Sequence, residues 1–355
     1  MAPPRTERVL SIQSHVAYGY VGGKAAVFPL QLLGYDVDVV NTVNFSNHAG
    51  YHRAGGTKAT AAELANMFSI MEDNGFLKPA RLLTGYIPGA EGLSAVADLS
   101  EKLCKAKPNL LYLLDPVIGD AGRLYVAADV IPVYRLMLPR ASIITPNWFE
   151  AEVLTDVKIE DTASLHKVLD ILHHKYQVPH VVISSIPLKQ WLRGILPAND
   201  HPIPTNEDVE DQLLCMTSSR VPGQDIESSV HSVCVPLIRG YFSGVGDLFS
   251  ALILGHYDTS LSGAEPLVSA VELAITKTHT ILQRTYDYAE SLPEEDRQAT
   301  DDERDAEDPV RRIRRMSGRE LRLVQSQDIL RGGPEMGPVR RLSPWEGFWD
   351  GYTRE

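Results

Sequence analysis

Positive charge and cysteine are both in short supply in this chain. Against 46 aspartates and glutamates stand 34 lysines and arginines, for a formal net charge of −12 at pH 7. That deficit excludes nucleic acid as the main partner, since a phosphate backbone is held by clustered cations. Only three of the 355 residues are cysteine (Cys104, Cys215, Cys234), far apart and in no metal-ligand spacing. Their number and placement exclude a disulfide framework and suit free thiols in a reducing compartment, the cytoplasm or also the nucleus. Long hydrophobic runs are missing as well. None approaches the ~18 apolar residues of a spanning helix, and the apolar run at 9–12 is too short for a signal-peptide core. No membrane partner is expected. Hydrophobic residues still make up 44% of the chain, enough for a substantial core.

What is present is an alternation. Apolar, β-branched runs fall at 9–12, 37–43, 81–84, 110–114, 143–145, 181–184 and 230–238. Helix-like stretches fall at 24–33, 60–74, 91–106, 127–138, 147–155, 164–176 and 266–288. Continuous apolar strands between helices predict an α/β fold, with a mostly parallel sheet covered on both faces. Ligands of such sheets sit outside the carboxyl ends of the strands. Polar clusters follow the predicted strands there, at 11–14, 85–86, 115–120, 145–150, 184–185 and 244–247.

The last of these clusters bears most directly on function. Gly244-Val-Gly-Asp247 lies between the 230–238 run and an apolar block at 248–254 that suits a buried helix. Unpaired backbone N–H groups and the positive end of the helix dipole make such a turn an anion site. Asp247 beside it is either a helix cap or a carboxylate with a chemical task. Asp115-Pro116 is likewise either a strand-ending turn or a ligand position, and Thr145-Pro-Asn147 either a helix start or part of a site.

Taken in order, Ser11-Ile-Gln-Ser-His15, Gly19-Tyr-Val-Gly22, Val43-Asn-Phe-Ser-Asn-His-Ala-Gly-Tyr51, Leu83-Thr-Gly-Tyr86, Asp115-Pro-Val-Ile-Gly-Asp120, Ile144-Thr-Pro-Asn-Trp-Phe-Glu-Ala-Glu152 and Gly244-Val-Gly-Asp247 resemble the motif series of the pyridoxal kinases, in the ribokinase-like superfamily. The resemblance covers residues 8–286 and resumes faintly at Glu320-Leu-Arg-Leu-Val-Gln-Ser326. It implies ATP-dependent phosphorylation of the 5′-hydroxymethyl group of pyridoxal, pyridoxine or pyridoxamine by a homodimer. Asp247 is then the catalytic residue, and Gly244, Val245 and Gly246 form the anion hole. Ser14, Ala49, Tyr86 and Asp247 are implied to bind the acceptor, and Asp115, Asn147, Glu150, Ser184 and Ser185 the nucleotide. Asp115, Asp120, Thr145 and Glu150 are implied to hold Mg²⁺, directly or through water, and a monovalent cation, K⁺ or Na⁺. The 119–126 stretch resembles a flap over ATP, with Arg123 and Tyr125 as closing groups. Val245 departs from the family's usual threonine, and Ala49 from the threonine of animal members.

The expected organisation is one kinase domain over 1–289 with a loop or hairpin excursion at 187–229. A charged, disordered insert at 290–318 follows, then a C-terminal segment, 319–355, that packs on the domain or trails it. The insert reads as a tether, and Arg314-Arg-Met-Ser317 and Arg340-Arg-Leu-Ser343 are either basophilic kinase sites or plain basic surface. Two alternatives stay open: a hydroxymethylpyrimidine or sugar kinase of the same fold, and a non-catalytic protein that binds pyridoxal phosphate or ATP.

Overall fold

The computed structural model of the chain describes residues 7–197, 212–221, 227–260 and 265–354. Twelve strands are present among these residues: β1 (Arg8–Val16), β2 (Asp36–Phe45), β3 (Gly56–Lys58), β4 (Arg81–Thr84), β5 (Leu111–Leu114), β6 (Gly119–Asp120), β7 (Arg123–Leu124), β8 (Ile143–Ile144), β9 (His180–Pro187), β10 (Gln212–Ser219), β11 (Ser229–Pro236) and β12 (Ser343–Pro344). Ten of them form one sheet in the order β12-β11-β10-β9-β8-β5-β4-β1-β2-β3, and β6 and β7 form a separate hairpin. Strands β2, β1, β4, β5, β8 and β9 run parallel. Antiparallel strands extend both ends of this block: β3 beyond β2, and β10, β11 and β12 beyond β9.

Alternation along the parallel strands feeds two separate cores. Leu10, Ile12, Leu82, Leu114, Ile144, Val181 and Ile183 meet helices Ala61–Asp73, Ala90–Ala106, Val130–Met137, Trp148–Thr155 and Thr162–Asp170 on one face. Val9, Leu83, Leu113, Ile143 and Val182 meet helices Gly23–Leu32, Val245–His256 and Pro266–Ser291 on the other. With both faces covered, the strand ends offer open ground for polar chemistry.

Of the two forms expected for the 187–229 excursion, the described part has the hairpin's antiparallel pairing, β10 lying between β9 and β11 as a full interior strand with Leu214, Cys215, Met216, Thr217 and Ser218 buried. Its hydroxyl-rich sequence hid this. Ser218 is tolerated inside because His173 Nε2 and Ser228 lie 2.7 Å from its Oγ. The rest of that excursion, 198–211 and 222–226, lies outside the described residues.

Residues 290–318 are not disordered. Helices Asp302–Glu307 and Pro309–Gly318 occupy most of the stretch. Part of the acidic and basic blocks is withdrawn from water: Asp305 and Arg315, 2% and 4% exposed, form an ion pair that Arg311 joins. Arg319 donates to Thr300 Oγ1 (3.0 Å) and Gln298 O (3.1 Å).

Both Arg-Arg-x-Ser motifs are built into the fold. Ser317 sits in a helix with its Oγ 2.6 Å from Tyr18 Oη, and Ser343 pairs with Ser232 in the sheet. The C-terminal segment packs on both faces, through Trp345 and Phe348 on one and Leu321, Leu323, Ile329, Leu330 and Leu342 on the other. Among the described residues no helix is long and apolar enough to cross a membrane.

Candidate active site

Gly244 starts the Val245–His256 helix at φ 82°, and a Cβ there would lie 1.9 Å from Tyr20 O. Only glycine accepts both that backbone conformation and that approach. Gly22 is under the same constraint, with φ 54° and a hypothetical Cβ 2.3 Å from Ser14 O. These two close approaches bring the end of β1 against the start of the helix. They are locked by Gly22 N–H, which donates to Asp247 Oδ2 at 2.7 Å. A Cβ on Gly246 would meet no heavy atom within 4 Å, so the chain's own packing does not demand glycine there. Glycine at 246 instead leaves its backbone N–H approachable from outside.

Asp247 keeps partial exposure, yet burial raises its pKa and the Gly22 N–H only partly offsets this. Its charge acts on Asp115, whose pKa rises to about 8 through burial first and the Asp247 carboxylate second, against a bond from Ser250. Ser250 stands three residues beyond Asp247 on the same helix and donates to Asp115 Oδ2 at 3.0 Å. A hydroxyl has one proton, so the 2.8 Å contact between Thr145 Oγ1 and Ser250 Oγ must be donated by Thr145. The resulting relay Thr145–Ser250–Asp115 was invisible in the motif series, although the three-residue spacing from Asp247 was a usable signal.

Asn147 and Glu150 cap the Trp148–Thr155 helix reciprocally: Asn147 Oδ1 accepts from Glu150 N and Glu150 Oε2 from Asn147 N, each at 2.9 Å. They do more than cap. Glu150 Oε1 also accepts from Ile118 N (2.9 Å) and Gly119 N (3.3 Å), and Asn147 Nδ2 donates to Gly119 O (2.8 Å). Both residues therefore anchor the β6–β7 hairpin, the stretch expected to form a flap. Burial and the nearby Asp115 push the Glu150 pKa well above its ordinary value. At the hairpin tip Ala121 (φ 47°) and Gly122 (φ 80°) are both left-handed, as in a type I′ turn. The Ala121 N–H is held by Asp120 Oδ1 at 2.7 Å. Tyr125, half exposed, reaches across to Tyr241 in the loop before Gly244; burial and that neighbour raise its pKa.

The remaining expected residues are placed less uniformly. Ser14 is buried at the end of β1, where Thr42 forms a bulge in β2 and donates to Tyr86 O at 2.8 Å. Tyr86 is half-buried and Ala49 exposed on its loop. Ser184 and Ser185 do not follow β9 but lie inside it, opposite Cys215 at a bulge. The Ser184 N–H donates to Pro146 O at 3.3 Å, which keeps it beside the Asn147 turn. Val245 packs against the apolar cluster of its face. Asp120 is exposed on the hairpin, and among the described residues no three His, Cys, Asp or Glu side chains converge into a complete metal site. The neighbouring Asp115 and Glu150 carboxyl groups fit a hard cation that takes one or two carboxylates and completes its shell with water and phosphate, the coordination habit of Mg²⁺.

A carboxylate beside an anion-accepting helix start, at the carboxyl ends of parallel strands, defines a phosphotransferase site of the ribokinase-like fold. The family model for phosphomethylpyrimidine kinase matches residues 32–214. Pyridoxal kinase of Arabidopsis thaliana is 37% identical over 330 residues, covering 93% of each chain. That of Bos taurus is 37% identical over 285 residues, 78% of this chain and 85% of its own. Among solved structures, pyridoxal kinase from Leishmania donovani in complex with ADP and pyridoxamine superposes with a TM-score of 0.75 at 31% identity, covering 95% of this chain and 99% of that one. The chain belongs to the pyridoxal kinase family.

Proposed function

We propose that this protein transfers the γ-phosphoryl group of ATP to the 5′-hydroxymethyl group of pyridoxal, pyridoxine or pyridoxamine. The observation that carries the reading is Asp247, tied through Oδ2 to Gly22 N–H at 2.7 Å and standing in the first turn of the helix that Gly244 opens. Its Oδ1 is left to orient the acceptor hydroxyl and to receive its proton as the O–P bond forms. The raised pKa makes it a better late base than an ordinary carboxylate. Phosphoryl transfer asks for alignment and charge neutralisation more than for a strong base. The backbone N–H groups at 244–246 serve that need for the transferring group.

Asp115, with Glu150 acting through water, would hold Mg²⁺, which when bound neutralises phosphate charge. A monovalent cation, K⁺ or Na⁺, is assigned to the side of the site formed by Asp115, Thr145 and Glu150. The carboxyl groups whose pKa values burial raises support cation binding, because a nearby positive charge relieves the cost of ionising them. The hairpin anchored by Glu150 and Asn147 is placed to cover the nucleotide, with Tyr125 as its closing group. Cys104, Cys215 and Cys234, none of them in a disulfide, support a cytoplasmic setting.

The phosphomethylpyrimidine kinase match ends at residue 214, short of Asp247, and begins after Ser14. The acceptor must therefore be settled by assay. ATP consumption is measured with pyridoxal, hydroxymethylpyrimidine and ribose as competing acceptors. Pyridoxal-dependent turnover well above the other two is expected. Faster turnover of hydroxymethylpyrimidine, or none with any acceptor, refutes the reading.

A further inference from the structure

The loops at 17–22 and 46–55 carry Gly22, which holds Asp247, and Ala49, and they run side by side: Ala17 N donates to Phe45 O (2.8 Å) and Tyr18 N to Ser46 O (2.9 Å). Each has local ties, Lys24 Nζ to Ala17 O (2.8 Å) in the first and Ser46 N to Gly55 O (2.8 Å) in the second. One carboxylate from the far end of the chain joins them both. Glu320 Oε2 accepts from Tyr20 N at 2.8 Å, and Oε1 accepts from Tyr51 Oη at 2.8 Å and contacts His48 Nε2 at 3.1 Å. Gly50 N donates to His48 Nδ1 at 3.1 Å, so Nδ1 is the acceptor and Nε2 carries the proton that goes to Glu320. The same Nδ1 lies 3.4 Å from Ser243 Oγ, immediately before Gly244.

Glu320 is 12% exposed. Burial pushes its pKa up, but the bonds from His48 and Tyr51 outweigh this and hold it below the ordinary glutamate value. It is a buried carboxylate that stays charged. Gly19, at φ 90°, leaves it room: a Cβ there would lie 2.5 Å from Glu320 Oε1. The helix just before Glu320 adds two more ties to the same loops, Arg312 Nε to Gly50 O (2.7 Å) and Ser317 Oγ to Tyr18 Oη (2.6 Å).

The path from this carboxylate to the chemistry is short. Tyr20 has its N–H on Glu320 and its carbonyl against Gly244, where a Cβ would come within 1.9 Å of that oxygen. Two residues on, Gly22 N–H holds Asp247. We propose that Glu320 is a positioning residue for the acceptor substrate, setting the loops at 17–22 and 46–55 against each other and, through Tyr20 and Gly22, setting the orientation of Asp247. The proposal rests on the kinase reading above, in which Asp247 and Ala49 of the second loop serve the acceptor. Glu320 touches no reacting atom, and its effect comes from geometry, where a displacement of about 1 Å costs up to about 10²-fold in rate.

The test is Glu320→Gln. The amide keeps the size, but its NH₂ cannot accept from Tyr20 N while its oxygen serves Tyr51 and His48. The expected result is a fall of ~10–100-fold in kcat/KM for pyridoxal, with the KM for ATP within about twofold of wild type. In the absence of any substrate, amide hydrogen exchange should quicken at 17–22 and 46–53 and stay unchanged in the strands. His173→Gln is the control, since it weakens the buried contact with Ser218 beside the start of β9, at the opposite ends of the strands from Glu320; it should lower stability and leave the pyridoxal KM within about twofold. Tyr51→Phe, which removes the hydroxyl that donates to Glu320 and neighbours Tyr18, gives a second reading should Glu320→Gln not fold. It should act in the same direction, by about 3–10-fold. Unchanged pyridoxal kinetics in Glu320→Gln or Tyr51→Phe, equal losses for ATP and pyridoxal, or exchange that rises throughout the molecule would each overturn the proposal. Exchange needs no substrate. A wild-type protein that fails to phosphorylate pyridoxal therefore sinks the kinase reading alone, and the loop protection still decides what Glu320 holds.

Discussion

Replacing Asp247 separates its two roles, because alanine removes both and asparagine removes one. In the structure Oδ2 satisfies Gly22 N–H at 2.7 Å, while the proton-accepting work falls to a carboxylate with a raised pKa. Asp247→Asn retains an oxygen for Gly22 but cannot accept a proton, so turnover should fall by ~10²–10⁴-fold, or about 3–5.5 kcal/mol of transition-state stabilisation. Asp247→Ala should lose the same catalytic factor and in addition leave Gly22 N–H without its partner. That costs about 1 kcal/mol, the low end for an unsatisfied donor, because the site is partly open to water. Steady-state kinetics with pyridoxal give the first number and urea denaturation the second. The KM for ATP should move by less than about threefold in both variants. An asparagine variant that keeps more than about a tenth of wild-type turnover would refute the reasoning and leave Asp247 as a helix cap that ties down Gly22.

Ser250→Ala cuts the Thr145–Ser250–Asp115 relay and removes the bond that lowers the Asp115 pKa. The Mg²⁺ concentration for half-maximal turnover should rise about 10-fold, and an unchanged Mg²⁺ titration would show that Asp115 does not serve the cation. Asp305→Ala strips the buried Arg315 of its partner, at 4% exposure, and should destabilise by about 3–5 kcal/mol in denaturant; a loss under about 1 kcal/mol would return residues 290–318 to the status of a tether. For the same reason, deleting 294–308 should cost solubility as well as activity. Buried His173 has its pKa lowered from 6.5 to about 4, chiefly by burial, so the stability it contributes is present above pH 6.5 and lost as pH falls through about 4. Measured as wild type minus His173→Gln, the stability difference should shrink across that window, and a difference independent of pH argues that the imidazole does not titrate on unfolding. Val245→Thr exchanges a methyl packed in the apolar cluster for a hydroxyl, a loss of about 0.8 kcal/mol against a gain of ~0.5–1.5 kcal/mol from one phosphate contact; turnover should stay within a few-fold of wild type, and a 10-fold rise would place that side chain on the phosphate.

Much of the molecule was legible from residue order alone, and for a physical reason. Apolar runs of strand length between helical periods leave a parallel sheet few alternatives, and glycines at 22 and 244 mark places where backbone approaches backbone. The alternation placed Asp247, Asp115 and Glu150 at strand ends, and the resemblance to the pyridoxal kinases gave them their roles.

Other features existed only once the chain was folded. Ser250 matters because one helical turn carries it from Asp247 to Asp115; its spacing from Asp247 is local, but the carboxylate it meets is 135 residues away. The 290–318 stretch looked like a solvated spacer because composition counts charges without knowing that Asp305 will meet Arg311 and Arg315. Ser184 and Ser185 seemed to end a strand that in fact continues, since β10 pairs past them across a bulge. Glu320 lies about 300 residues from Tyr20, so no local pattern could join them. Periodicity and turn chemistry act over a few residues and are written along the chain. Partners for buried charge and loop geometry are chosen by distances that close only when the two ends of the chain meet.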